Sequence, residues 1–164
     1  MAVTMQQAIK AVRDYFETEG YKYRYDEDKQ IFNTSFNLSK TKLGSVDIHI
    51  LVRPTSKDPD MCHRFVSYGE VSLKADAESM GAVAEYLHRA NYGLSIGNFE
   101  LDPRDGEIRY KVSANVKDGM IGQDAIDDMI ALPVAMYNKY GNGLLAVAMG
   151  MMTAEDAAKK ADGE

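Results

Sequence analysis

Cys62 and His63 are the one adjacent pair of soft metal ligands in the chain, because it holds a single cysteine. A structural zinc site needs four such ligands grouped at short spacings. Neighbouring side chains on an extended segment point to opposite faces, and no second Cys/His cluster follows, so the pair reads as strand. His49 falls on the polar side of an alternating run, and His88 sits beside Arg89 on a helical one. With no serine or cysteine placed for activation, both read as solvated groups rather than catalytic bases. Asp124, Asp127 and Asp128 are the remaining candidates, a carboxylate cluster that could work as a hydrolase with a divalent metal. The same three acids suit the first turns of a helix, whose N-terminus is partially positive. Acid–base work would also need an apolar pocket to raise one carboxyl's pKa. Gly93, Gly97 and Gly106 are too dispersed to cradle a phosphate, and no GxxxxGK[ST] motif occurs. The expectation is a protein that is not an enzyme, with no cofactor and no metal.

The elements around these residues read as α+β. Met5, Ala8, Ile9, Val12 and Phe16 share a helical face, Thr4 with Gln7 suggests a capping box, and Gly20 a stop. Tyr21, Tyr23 and Tyr25 alternate with Lys22 and Arg24. This ladder fits base stacking less well than cross-strand packing, since no wider basic field surrounds it. Phe32 to Leu38 and Val46 to Val52 alternate as half-solvated strands, and Arg64 to Leu73 is a fourth, with Gly69 marking a bulge or a close-packing point. A second helix is expected from an N-cap at Asp76 to an αL stop at Gly93. A hairpin then turns at Asp102–Gly106, with Phe99 and Leu101 on one arm and Ile108 to Ala114 on the other. The order α-ββββ-α-ββ-α predicts one antiparallel sheet with helices packed on one face. A single domain is expected over 1–164, with 1–152 as core and 153–164 as a short helix, capped by Thr153 and Asp156, and a frayed tail.

The bulk numbers narrow the function classes. A chain of 164 residues with 45% hydrophobic and 27% charged residues fits one globular domain. A net charge of −6 argues against a nucleic-acid partner. A lone cysteine cannot close an internal disulfide, and no apolar run is long enough to span a bilayer. The N-terminus has no charged head before an apolar core, so a cytoplasmic location is expected.

The last third is the anomaly. Ile126, Met129, Ile130, Pro133, Tyr137 and Tyr140 form one stripe, with Pro133 expected to kink the helix and Tyr140–Gly143 to break it. Six of the ten methionines lie between Met120 and Met152, and Leu132, Met136, Val147 and Met149 fall off the stripe. Leu144 to Met152 is apolar on every side. This surface can be intramolecular core, a homodimer contact or a groove for a partner, since methionine suits surfaces that repack. The protein-binding residues expected are Met136, Tyr137, Tyr140, Leu144, Leu145 and Met149.

Asn91 after the second helix, then Gly97, Phe99, Leu101-Asp102, Gly106 and Ile108 in the hairpin, carry a resemblance. In these positions, and in the order of its elements, the chain resembles the YbjN family of bacterial sensory transduction regulators. That family's fold is similar to type III secretion chaperones. The resemblance implies a non-enzymatic, chaperone-like or regulatory module, often dimeric, that holds protein segments, and it implies no catalytic residues. The expected partners are therefore a second copy and a protein client, met through helix faces and an exposed sheet edge. The alternative is a sensor of small molecules with a pocket between helices and sheet.

Overall fold

The computed structural model describes residues 3–116 and 122–163. In chain order the elements are α1 (Met5–Glu19), β1 (Arg24–Asp26), β2 (Ile31–Asn37), β3 (Ser45–Pro54) and β4 (Cys62–Lys74). They continue with α2 (Met80–Asn91), β5 (Asn98–Leu101), β6 (Glu107–Asn115), α3 (Gln123–Ala148) and α4 (Ala154–Asp162). The strands form one antiparallel sheet in the order β1-β2-β3-β4-β6-β5, so the α+β reading holds.

Register decides what each face carries. Phe32, Ile50, Ser67 and Val112 lie side by side across β2, β3, β4 and β6, and the next inward row runs Thr34, Ile48, Gly69, Tyr110 and Phe99. This face meets the helices. The alternate residues, among them Asn33, His49, Tyr68 and Lys111, face away. α1 covers the β2–β3 side through Val12 and Phe16, both fully buried, and its capping box forms as the sequence predicts. Tyr21, Tyr23 and Tyr25 pack their rings on Phe36, Phe16 and Phe32, which accounts for the ladder without any base.

α3 is one continuous helix, contrary to the expected break. Pro133 has no N–H for the carbonyl of Met129 four residues back. The hydroxyl of Ser67, itself fully buried, donates to that carbonyl at 2.6 Å instead. A Cβ on Gly69 would stand 2.6 Å from the Pro133 Cβ, so the glycine is a close-packing point under the proline ring. The glycines of Tyr140–Gly143 admit neighbours rather than end the helix. A Cβ on Gly141 would meet Thr41 at 2.6 Å, and one on Gly143 would meet the Tyr86 hydroxyl at 2.3 Å. Tyr86 uses that space to donate to the Tyr140 carbonyl at 2.7 Å.

Three further expectations are corrected. α2 begins at Met80 after Ser79, while Asp76 accepts from the backbone of Glu78 and Ser79 in the preceding turn. It ends through Tyr92 in a right-handed conformation, and Gly93 supplies no αL stop. The tail does not fray at Lys159: α4 runs to Asp162, whose carboxylate accepts from the Tyr140 hydroxyl at 2.9 Å and pairs with Lys139 at 2.8 Å.

Candidate functional site

The last turns of α3, residues 143–148, are apolar all round because the helix is covered on several sides. The sheet lies beneath it, and α2 and α4 pack along it. Tyr137, Tyr140 and Leu144 are therefore interior, with at most 3% of their surface exposed. Met136 and Leu145 are half-buried, and Met149 is exposed at the helix end. The six residues expected to bind protein do not share an accessible face, because α4 folds back and hides the segment that looked too greasy for one chain. Met120 lies outside the described residues. The interval between helices and sheet is filled at its centre by Tyr86, Met129 and Tyr137. Tyr137 donates to the carbonyls of Gly69 (3.0 Å) and Ile108 (3.3 Å). Burial pushes the Tyr137 and Tyr86 phenols far up, so both remain donors.

The polar candidates are also placed. Cys62 is buried, and burial raises its thiol, which suits a structural rather than a reactive cysteine. His49 shares a 2.6 Å hydrogen bond with Asn33 and stands 3.8 Å from Glu70 on the outward sheet face. His88 is exposed on α2. Asp127 accepts from the Tyr15 hydroxyl of α1, and burial followed by this bond raises that phenol. Among the described residues, no three His, Cys, Asp or Glu side chains converge as metal ligands.

What the geometry does bring together is a groove of about 640 Å³ beside α3. Tyr21 and Phe36 form one wall, their rings 5.0 Å apart edge to face. Ile130 and Val134 form the other, and the exposed Ala131 and Ala135 keep the outer side of α3 low. Lys40 and Lys139 stand at one end and Asp127 at the other. Lys139 is held charged by Asp162 and the Tyr140 hydroxyl. The loop carrying Lys40 is fixed by two asparagines one helical turn apart. The Lys40 N–H donates to Asn138 Oδ1 at 2.9 Å and the Lys42 N–H to Asn142 Oδ1 at 3.1 Å. Asn142 Nδ2 returns a bond to the Lys40 carbonyl at 3.0 Å.

The sheet edges differ in availability. On β5 the Phe99 N–H donates to Asn91 Oδ1 at 2.7 Å, and Asn91 Nδ2 donates to the Phe99 carbonyl at 3.0 Å. One side-chain amide thus occupies the backbone groups an added strand would need. On the opposite side, β1 pairs only with Ile31–Asn33, and among the described residues β2 has no strand partner outside Ser35–Asn37. That open stretch borders the groove through Phe36. Sequence reasoning missed Asn91, Asn138 and Asn142 as backbone clamps. The visible signal for the last two was their four-residue spacing on a largely apolar stretch of α3.

A family model described as "Putative bacterial sensory transduction regulator", YbjN, matches residues 8–146, from α1 to the last turn of α3. The chain belongs to the YbjN family. Among solved structures, it is similar to the one titled as the crystal structure of YbjN, a "putative transcription regulator" from E. coli. The TM-score is 0.58 at 10% identity, covering 87% of this chain and 92% of that one. Identity that low shows a shared fold alone. No curated protein matches the chain. Among the described residues no helix is long and apolar enough to cross a membrane.

Proposed function

We propose that this YbjN-family chain is a non-enzymatic, cytoplasmic regulatory module that holds a segment of a client protein in a chaperone-like manner. The client lies in the groove between α3, Tyr21 and Phe36. The observation that carries this reading is the junction of two recognition modes at one place. Phe36 and Val134 offer apolar side chains, Ala131 and Ala135 let a backbone come close, and β2 keeps an open edge beside them. Such a site takes an extended or helical segment by strand addition or by helix-in-groove packing. Lys40 and Lys139 at one end favour a segment with acidic residues there. Self-association belongs to the same reading, since a dimer would offer two grooves.

The test is site-specific photocrosslinking in the native host, with a benzophenone amino acid replacing Val134 or, as a control, Lys57 in the exposed 55–60 loop. Defined protein adducts are expected from position 134 only, and they should vanish when Ala131→Trp fills the groove. Identical adducts from both positions, or none from position 134, would overturn the reading.

A further inference from the structure

The sheet face turned away from the helices carries a charge pattern that one chain leaves unbalanced. Arg53 of β3 lies directly opposite Arg64 of β4, and six residues along the same strand pair Asp47 lies opposite Glu70. Like charges directly across a ladder are destabilising. Among the described residues, Arg53, Arg64 and Asp47 have no ion-pair partner. Arg64 only donates to Asn115 Oδ1, while Glu70 has His49 at 3.8 Å and, across the ladder on β6, Arg109, which is itself bonded to Glu100. Between the poles runs an apolar row of Ile31, Leu51 and Val66. Leu51 is only 6% exposed although none of the described helices packs on this face.

This pattern is its own complement. A two-fold axis lying in the face and crossing the strands midway would reverse strand direction and lay β3 on β3 and β4 on β4. Arg53 then meets the second copy's Asp47, and Arg64 its Glu70. Leu51 and Val66 meet the second copy's His49 and Tyr68. The same operation lays Lys111 over Ser113 and Arg109 over Asn115, so it creates no like-charge contact on β6. Sheets packed face to face sit about 10 Å apart, a gap that an arginine and a carboxylate can close together. We propose that this face is an isologous interface on which two copies pack antiparallel, the arginine pole of each over the carboxylate pole of the other. The proposal rests on the self-association half of the function read above and leaves the α3 groove of both copies free on the far sides.

Sedimentation velocity on the full chain tests it, with far-UV circular dichroism confirming that each variant folds. The wild-type chain should dimerise, more weakly at high salt. R53E alone places carboxylate against carboxylate at two symmetric contacts, and D47R alone places cation against cation. Each should raise the dimer Kd by about 100-fold, roughly tenfold per contact. Mixing the two variants makes both contacts attractive, so a heterodimer should form where neither variant dimerises alone. A wild-type chain that stays monomeric to millimolar concentration refutes self-association altogether. A wild-type dimer that R53E leaves intact, or two monomeric variants that fail to pair, refutes this interface while sparing the groove reading.

Discussion

Replacing Ser67 by alanine should do more harm than the loss of one hydroxyl on a strand suggests. The Ser67 hydroxyl donates at 2.6 Å to the Met129 carbonyl, in a place where serine is fully buried and Pro133 provides no amide. Without it that carbonyl is left unpaired away from water, at a cost of about 1–3 kcal/mol. For a chain of 164 residues, about 2 kcal/mol lowers Tm by roughly 4–8 °C. Pro133→Ala restores an N–H facing the same carbonyl, while losing the ring's packing over Gly69. In the wild-type background the new N–H competes with Ser67, and in the Ser67→Ala background it replaces it. The four proteins of this cycle, unfolded in urea and followed by circular dichroism, should therefore show a favourable coupling of about 1–2 kcal/mol. Additivity within about 0.5 kcal/mol would refute the argument that the strand hydroxyl substitutes for the missing helix amide.

Asn91→Ala should uncover the Phe99 backbone groups on β5, costing about 1–2 kcal/mol in urea denaturation and adding concentration-dependent turbidity. Unchanged stability together with a clear solution would remove the amide's role as an edge plug. Burial raises Glu100, but its bonds to Lys111 and Arg109 prevail and hold it below its ordinary value of 4.5. Its stabilisation is thus present above that ordinary value and lost as pH falls through the lower folded one. Glu100→Gln should cost less than about 1 kcal/mol near pH 7, screened by solvent, and the difference from wild type should close as pH falls through that lower value. A gap that widens with acid would reverse the sign of this account.

The strands and first helix were legible because their physics is local. Period-two alternation of Phe32 to Leu38 and Val46 to Val52, and the Thr4/Gln7 capping box, need no distant partner to be read. The C-terminal third was misread because its cues are tertiary. Pro133 and the two glycines near Tyr140 carry breaker signals, yet Ser67, Tyr86 and the Thr41 loop each complete the helix from another part of the chain. Tyr137 and Leu144 resembled a binding face because the sheet that holds the Tyr137 hydroxyl and the helices α2 and α4 packed beside α3 are set by contacts distant in sequence. The groove was invisible for the same reason, since Tyr21 and Phe36 meet Val134 across about a hundred residues of sequence. The outward charge poles were in plain view as Arg53 and Asp47, but their meaning depends on the β3–β4 register.

The ties that seat α3 are among the longest in the chain. Asn138 reaches Lys40 across 98 residues, Asn142 across 102, and Tyr15 reaches Asp127 across 112. On the ribosome the sheet can be complete while its greasy underside still waits for a lid encoded last. Contacts this distant in sequence close slowly. A nascent chain stalled after Asn115 would present Ile108 and Val112, which α3 later covers, to the first chaperone, or the first identical neighbour, that it meets.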